Sequence, residues 1–430
     1  MSKDKITIGD YIVIKKHNYK KLHKFNKGTS SVVIGKDVVN LSGIEDSRFF
    51  SMFKMIPKGN KRHKEFDLEV SEDTGNLREE LSLKTSGIDN RNIYDDGRSQ
   101  KLSATEIDEL KIDSTKASEI VETLISNSKT FHNKTEFSQE KYLKKKEKKY
   151  FEYIQILKPN LRIITEVLYK IDPSKLQGLR VDTLSQIITL SNISNEGNHL
   201  LYDSGSNGLL AAALLSAMGE EGIGKLVHMH PGNMSQKQAL LAMNFNSVQY
   251  NKCLSVNVYS VLRQVYQGCD TNSTDSETGN LKRKASSNIE HETKVPKLEE
   301  SQNITSEVNI TDTENTEDKK KPKWHFDNIS AAEILSHKVD SLVIASKEDP
   351  QNLFMELINF VKPGRPFVIY YNVAEPLQNL YMTLKSLSNV AALRLTCNWM
   401  RNYQILPDRT HPEVTMNGSS GFLLTGYVLK

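Results

Sequence analysis

The chain has 430 residues, of which 37% are hydrophobic and 26% charged, so it is long enough for two or three domains with a sizeable core. The longest apolar run, Leu209 to Met218, is about half of the roughly 20 residues that span a bilayer, and we expect no secretory signal and no membrane association. Cys253, Cys269 and Cys397 form neither a CxxC pair nor a disulfide framework. This cysteine usage predicts a reducing compartment, the cytosol or the nucleus.

Charge is distributed unevenly along the chain. The net charge is +4, but residues 270–321 carry eight Lys/Arg against twelve Asp/Glu, which leaves +8 for the remainder and favours an anionic partner. Residues 270–321 are rich in Ser, Thr, Asn and Glu and lack aromatic residues, which predicts a disordered insertion. Its clusters Lys282–Lys284 and Lys294–Lys297 are either a split nuclear-import signal or incidental basic runs.

Residues 1–85 have the pattern of a β-rich domain. Short β-branched runs separated by Gly, Asn and Lys-rich turns occur at 10–14, 31–35, 38–41 and 66–70. This spacing predicts a small β-barrel-like domain with basic loops at Lys15–Lys27 and Lys58–Lys64. Such a barrel is compatible with RNA binding and equally with a plain soluble barrel, and the sequence leaves both open.

Residues 86–185 are predicted to form a helical connector. A turn is expected at Asp95–Gly97, and Ser103 with Glu106 matches a capping box ahead of a helical pattern. A second helix is predicted over Ala117–Ser126 from its apolar spacing.

A basic helix is predicted over residues 138–158, with Ser138 as its N-cap and Pro159 as its stop. Helical spacing puts Leu143, Tyr150, Ile154 and Leu157 on one apolar stripe. The opposite face would carry Lys141, Lys144, Lys145, Lys148 and Lys149. Such a face is either a solvated lysine surface or a contact for a polyanion, since like charges repel unless counterions or phosphates neutralise them.

Residues 186–430 alternate strand and helix patterns, which predicts a mostly parallel, doubly wound α/β sheet. Helices are expected at Leu209–Met218 and Gln236–Phe245. Strands are expected at 200–203, 225–229, 340–345, 367–371 and 421–429. Asp349, followed by Pro350, is expected to cap a helix rather than to serve as a catalytic acid.

The turn after the first of these strands has the form of a degenerate nucleotide-binding turn. In DSGSNG (203–208), Asn207 stands where a Rossmann-type methyltransferase has its middle glycine. The second strand ends at His228-Met-His230, and no Asp or Glu occurs between residues 222 and 269 to hold a ribose. We therefore expect no S-adenosylmethionine site. The two histidines suit strand-end packing or a partner contact better than a metal site, because no third ligand is near.

Several long blocks resemble the non-catalytic subunit of the eukaryotic tRNA adenine N1-methyltransferase. They are RNIYDDGRSQKL (91–102), SNSKTFHNKTEFSQEKYLKKKEKKY (126–150), SKLQGLRVDTLSQI (174–187) and WMRNYQILPDRTHPEVTMNGSSGFLLTGYVL (399–429). The last block mixes basic and aromatic residues that suit phosphates and stacked bases. The resemblance implies a β-rich N-terminal domain, a Rossmann-like domain without cofactor, and a nuclear heterotetramer of two plus two subunits in which the catalytic partner holds S-adenosylmethionine and methylates adenosine 58.

The resemblance also implies that this chain supplies a tRNA-binding surface and has no transferase activity of its own. By motif position, tRNA contact is carried over to Arg91, Asp95, Asp96, Arg98, Ser99, Gln100, Lys141, Lys144, Lys145, Lys146, Lys148, Lys149, Tyr150, Lys175, Arg180, Arg401, Tyr403, Arg409 and His411. Two alternatives stay open: an active S-adenosylmethionine-dependent RNA methyltransferase, and an RNA-binding scaffold unconnected to methylation.

Overall fold

A computed structural model describes residues 4–27, 31–58, 65–71, 99–103, 105–107, 110, 117–150, 152–268, 322–405 and 410–430. The predicted turn at 95–97 and the predicted insertion at 270–321 lie outside these residues. So do Arg91, Asp95, Asp96, Arg98 and Arg409 among the predicted contact residues.

The N-terminal domain is a curled sheet with the strand order β2-β1-β7-β5-β6-β4-β3. Its strands are β1 (Tyr11–Lys16), β2 (Tyr19–Lys24), β3 (Ser31–Ile34), β4 (Asp37–Asn40), β5 (Met52–Lys58), β6 (Glu65–Ser71) and β7 (Tyr153–Leu157). The edge strands β2 and β3 approach each other, since the Lys21 ammonium donates to the Val33 carbonyl at 2.9 Å. Because inward side chains such as Ile12, Phe53 and Ile154 fill one core, the sheet is nearly closed, as the barrel-like prediction required.

Two strands of this sheet correct the sequence prediction. β2 lies inside the segment predicted as a basic loop, where it forms a hairpin with β1. The basic helix was predicted over residues 138–158 with Ser138 as its N-cap, but it runs from Glu136 to Tyr150, so Ser138 lies inside it, and Ile154 and Leu157 belong to β7. β7 pairs with both β1 and β5, so its backbone hydrogen bonds are satisfied by partners far away in the sequence.

Helices connect and cover the two sheets. They are α1 (Ala117–Ser126), α2 (Glu136–Tyr150), α3 (Leu161–Ile171), α4 (Val181–Leu190), α5 (Leu209–Met218), α6 (Gln238–Ala242), α7 (Ser247–Tyr250), α8 (Val258–Gln267), α9 (Lys323–Ser336), α10 (Pro350–Leu357) and α11 (Ala374–Lys385). The capping box is confirmed, because Ser103 N donates to Glu106 Oε2 at 2.7 Å and Glu106 N donates to Ser103 Oγ at 3.2 Å. The cap at Asp349 is confirmed as well, since its side chain accepts from Gln351 N at 2.9 Å.

The C-terminal domain is built on a second sheet with the order β10-β9-β8-β11-β12-β16-β13. Its strands are β8 (His199–Asp203), β9 (Leu226–His230), β10 (Cys253–Asn257), β11 (Ser341–Ala345), β12 (Pro366–Tyr371), β13 (Val390–Trp399) and β16 (Ser419–Val428), with β14 (Tyr403–Gln404) and β15 (His411–Pro412) in a separate ribbon. The strands from β10 to β12 are parallel, and β16 inserts antiparallel between β12 and β13. The strand order reverses between β8 and β11, which confirms the predicted Rossmann-like fold.

Apolar layers on both faces of this sheet explain why its central strands are buried throughout. Leu200 and Tyr202 of β8 join the core under α8 to α11, whereas Leu201 joins the core under α3 to α6. The two domains are held together by Asn244, whose side chain accepts from Tyr11 N and donates to Tyr11 O, both at 2.8 Å. No helix in the described part of the chain is long and apolar enough to cross a membrane.

Candidate nucleic-acid interface and degenerate cofactor turn

Helix α2 is held to the protein along one side. Leu143 is buried in a cluster with Val121 and Leu124 of α1 and with Tyr153 of β7. Gln139, also buried, donates its side-chain amide to the Phe131 carbonyl at 3.1 Å. These contacts fix the rotation of the helix, so the direction of its opposite face is determined by packing rather than by the lysines themselves.

That opposite face carries exposed lysines. Lys141, Lys145 and Lys149, hereafter the lysine stripe, are all exposed and follow one another at four-residue spacing, about 6 Å along the helix axis. Lys144 is exposed too and pairs with Glu140 at 3.0 Å, a surface ion pair of small energetic value. The side chains of Lys148 and Tyr150 are not among those described.

Lys146 differs from the lysine stripe because its side chain is partly buried. Its ammonium lies 5.1 Å from the centre of the Tyr142 ring, which also has Lys134 at 5.5 Å. Burial lowers the pKa of Lys146, and the nearby charges of Lys149 and Lys145 lower it further. The charges of Lys149 and Lys145 therefore add to the effect of burial on the pKa of Lys146. An approaching phosphate would relieve the repulsion among these lysines.

Three more of the predicted residues, Ser99, Gln100 and Lys175, lie away from α2. Ser99 and Gln100 lie against the C-terminal end of α1, where Lys129 N donates to the Ser99 carbonyl at 2.9 Å and Gln100 Nε2 donates to the Leu124 carbonyl at 3.3 Å. Lys175 is exposed in a 3₁₀ turn after α3.

The β14–β15 ribbon presents Tyr403 and His411 to solvent. Tyr403 is 53% exposed, and His411 pairs across the ribbon with Gln404. Arg401 is half-buried and donates to the Glu413 carbonyl at 3.1 Å, which fixes the base of the ribbon. The ribbon therefore offers aromatic and imidazole surface next to the end of β13.

Arg180 has a position that the sequence did not suggest. Its side chain is buried, and Nε and Nη2 donate to the Asp182 carboxylate at 2.7 and 2.8 Å. Nη1 donates to the Asn417 carbonyl at 2.7 Å and Nη2 to the Gly418 carbonyl at 3.0 Å. Four of the five guanidinium N–H donors are thus engaged within the chain, so the buried Arg180 orders the loop ahead of β16 and is poorly placed to contact a phosphate.

The turn after β8 keeps its shape without a full set of glycines. Asp203 Oδ1 accepts from Gly205 N at 3.0 Å and Ser206 N at 2.8 Å, and Ser206 Oγ donates to Asp203 Oδ2. Asn207 takes the left-handed conformation (φ 58°), which asparagine tolerates better than most residues, and Gly208 follows at φ 77°. The substitution therefore preserves the turn.

Two groups of the same turn that a bound nucleotide could use have partners within the chain. The Asn207 N–H, a donor of the kind that binds anions at helix N-termini, donates instead to Gln236 Oε1 at 3.0 Å. Lys347, which no sequence pattern singled out, crosses Gly205 so closely that a Cβ there would lie 2.8 Å from its Nζ. The close approach that a glycine permits is thus used here by the Lys347 side chain.

The ends of β9 and β10 also lack the residues that hold a ribose. His230 and Asn257 end these strands. Burial lowers the pKa of His230 and lowers that of His228 to about 4, so both imidazoles are neutral. Among the described residues no group of three His, Cys, Asp or Glu side chains could hold a metal ion.

Several known proteins are similar to this chain in sequence. The model of the Gcd10p family matches residues 5–326. Curated relatives include the tRNA (adenine(58)-N(1))-methyltransferase non-catalytic subunits of Mus musculus, 35% identical over 80% of this chain and 75% of that protein, and of Dictyostelium discoideum, 30% identical over 97% and 78%. The relative from Schizosaccharomyces pombe carries the same description and is 25% identical over 78% of this chain and 75% of that protein.

The solved structures that this chain matches include two methyltransferases. They include the tRNA (m1A58) methyltransferase TrmI from Aquifex aeolicus, 11% identical with a TM-score of 0.43 over 99% of this chain and 100% of that chain. A SAM-dependent O-methyltransferase from Thermotoga maritima is 11% identical with a TM-score of 0.49 over 99% and 96%. The family expected from the sequence motifs is confirmed by the sequence relatives: this chain belongs to the Gcd10p family, alongside proteins described as non-catalytic subunits of tRNA (adenine(58)-N(1))-methyltransferase.

Proposed function

We propose that this chain is the tRNA-binding, non-catalytic subunit of a tRNA (adenine-58-N1)-methyltransferase complex. The observation that carries the proposal is the lysine stripe on a helix whose rotation is fixed by Leu143 and Gln139. Phosphate contacts supply a large share of the affinity of a protein for nucleic acid, and lysines on a helix that is already packed make them without first ordering the backbone. Lys175, Tyr403 and His411 would extend this surface.

The chain is proposed to leave the chemistry to a catalytic partner that binds S-adenosylmethionine. Lys347 over Gly205, the engaged Asn207 N–H and the absent carboxylates support this division. We further propose a heterotetramer of two plus two subunits and a nuclear location, the latter supported by the basic clusters at 282–284 and 294–297. Nuclear signal from a fluorescent fusion should be lost when these clusters are neutralised, and an unchanged distribution would refute their role.

The decisive experiment measures methyl transfer to tRNA by this chain alone, by the catalytic partner alone, and by the two together. Activity only in the mixture supports the proposal. Activity of this chain alone would establish the alternative of an active methyltransferase. Failure of any methyltransferase subunit to co-purify, with RNA binding intact, would favour a scaffold unconnected to methylation.

A further inference from the structure

A cavity of about 590 Å³ opens at the carboxyl ends of the central strands of the second sheet. Ligands of doubly wound sheets bind at this edge, and this volume is within the range of small-molecule sites. The side chains that line it and matter here are Tyr169, Gln177, Lys347, Tyr371, Asn372 and Asn417. Lys347 both lines this cavity and passes close to Gly205 of the turn after β8.

The lining has a distinct chemical character. It combines two tyrosine rings, three carboxamides and one ammonium, and none of the described residues around it is Asp or Glu. Asp203 is the acid that ends β8. Its carboxylate accepts hydrogen bonds from the Gly205 and Ser206 N–H groups of the following turn and so faces that turn. A ligand with a flat polar ring and a negative charge matches this combination.

Hydrogen bonds hold parts of the cavity wall in place. Tyr370 Oη donates to the Gln177 carbonyl at 2.7 Å, and Tyr371 Oη donates to the Lys347 carbonyl at 3.1 Å. Arg180 holds the Asn417 carbonyl from behind at 2.7 Å. Arg180 therefore positions one wall of this cavity.

The cavity also adjoins a residue of the proposed RNA surface. Ser174 lines it, and the next residue is the exposed Lys175. RNA bound at Lys175 would thus have its backbone beside the mouth. Proteins read RNA by taking unstacked bases onto aromatic rings and hydrogen-bonding their edges, and carboxamides offer both donors and acceptors for this.

We propose that this cavity receives one ribonucleotide of the bound RNA, extruded from its stack, with the base between Tyr169 and Tyr371 and its phosphate near Lys347. This inference rests on the proposed function and names the part of the RNA that the degenerate domain holds. The cavity would keep a nucleotide-binding use after the loss of the cofactor.

The test compares two Asn→Trp variants in the complex of this chain with its catalytic partner. Asn372→Trp places a bulky ring at the mouth, and Asn379→Trp places the same ring on the exposed face of α11. We expect Asn372→Trp to raise the Kd for tRNA by roughly 5- to 150-fold, the range for losing one stacked base, and Asn379→Trp to change it less than about twofold. Photo-crosslinking of 4-thiouridine-substituted tRNA should mark Tyr169 or Tyr371 in the unsubstituted complex.

A second variant keeps the test decisive if Asn372→Trp fails to fold. Lys347→Met removes the single ammonium and should lower the salt slope of tRNA binding by about 0.7, the value for one single-strand phosphate. Normal tRNA affinity in Asn372→Trp, or an unchanged slope in Lys347→Met, overturns the inference and leaves the proposed function standing. Loss of partner assembly with intact tRNA binding would show that a protein segment fills the cavity. If the unsubstituted complex binds no tRNA, the proposed function itself fails.

Discussion

Replacing the lysine stripe tests the proposed interface most directly. In the triple variant Lys141→Ala, Lys145→Ala, Lys149→Ala, the buried anchor Leu143 stays in place. Alanine is the best helix former, so α2 should persist and the thermal midpoint should stay close to that of the unsubstituted chain. The triple substitution therefore changes the charge of α2 and leaves its packing in place.

The expected magnitude follows from counterion release. Each phosphate contact contributes about 0.7 to 0.9 to the slope of log K against log salt, so three lost contacts lower the slope by about 2 to 2.7. Between about 50 and 200 mM salt, the unsubstituted complex should then lose roughly 20- to 40-fold more affinity than the variant does. Filter binding or fluorescence anisotropy with one tRNA across this range measures the difference.

The matched control is the triple Lys→Arg variant at the same positions. It keeps the charge and should keep the slope, since counterion release depends on the number of neutralised phosphates. An alanine variant whose slope equals that of the arginine variant, with α2 intact by circular dichroism, would refute the role given to the lysine stripe.

Three further predictions concern the second domain. Arg180→Ala leaves the partly buried Asp182 unpaired and should lower the free energy of unfolding by about 3 to 5 kcal/mol, measured in urea, whereas removal of both partners should cost less than the sum of the single changes. Gly205→Ala should destabilise by at most about 1 kcal/mol, since the flexible end of Lys347 can move aside, and by less in a Lys347→Ala background, where Gln177 Nε2 at 3.0 Å is the close neighbour that remains; equal effects in both backgrounds would contradict the contact. His228 has a folded-state pKa of about 4, below its unfolded value, so its contribution is present above about pH 6.5 and is lost as the pH falls. Between pH 7 and 4.5 we expect a loss of about 2 to 3 kcal/mol that His228→Gln reduces; an identical pH dependence in the variant would show that other groups cause it.

The parts of the fold that sequence could predict are those decided locally. The centre of β8, Leu200 to Tyr202, is apolar and is followed by a turn, and its burial on both faces follows from that composition. The capping box at Ser103 and Glu106 forms because both hydrogen bonds lie within one turn.

The sequence predictions are wrong where a local structure depends on residues that are distant in the sequence. Ile154 and Leu157 fit a helical stripe, but Gln155 between Ile154 and Ile156 is the period-two signal of β7, and the pairing with β1 and β5 is invisible in a local window. Likewise nothing in the sequence separates the buried Arg180 from the exposed Lys175. Lys347 could not be found from a motif, because its role is to lie across Gly205, a contact that exists only in three dimensions.

A tRNA-binding surface of the proposed kind requires the two domains to keep a fixed relation. The lysine stripe lies on a helix anchored to the first sheet through Tyr153. Lys175 and the cavity that we propose for a ribonucleotide belong to the domain of the second sheet. The paired hydrogen bonds between Asn244 and Tyr11, and the ion pair between Lys20 and Glu166 at 2.8 Å, tie these bodies together. A rigid RNA contacts both parts at once only if their spacing is set beforehand, because each contact then raises the effective concentration for the next. On this proposal the Rossmann-like domain has a use that needs no cofactor, because it would hold half of a surface whose other half is the lysine stripe.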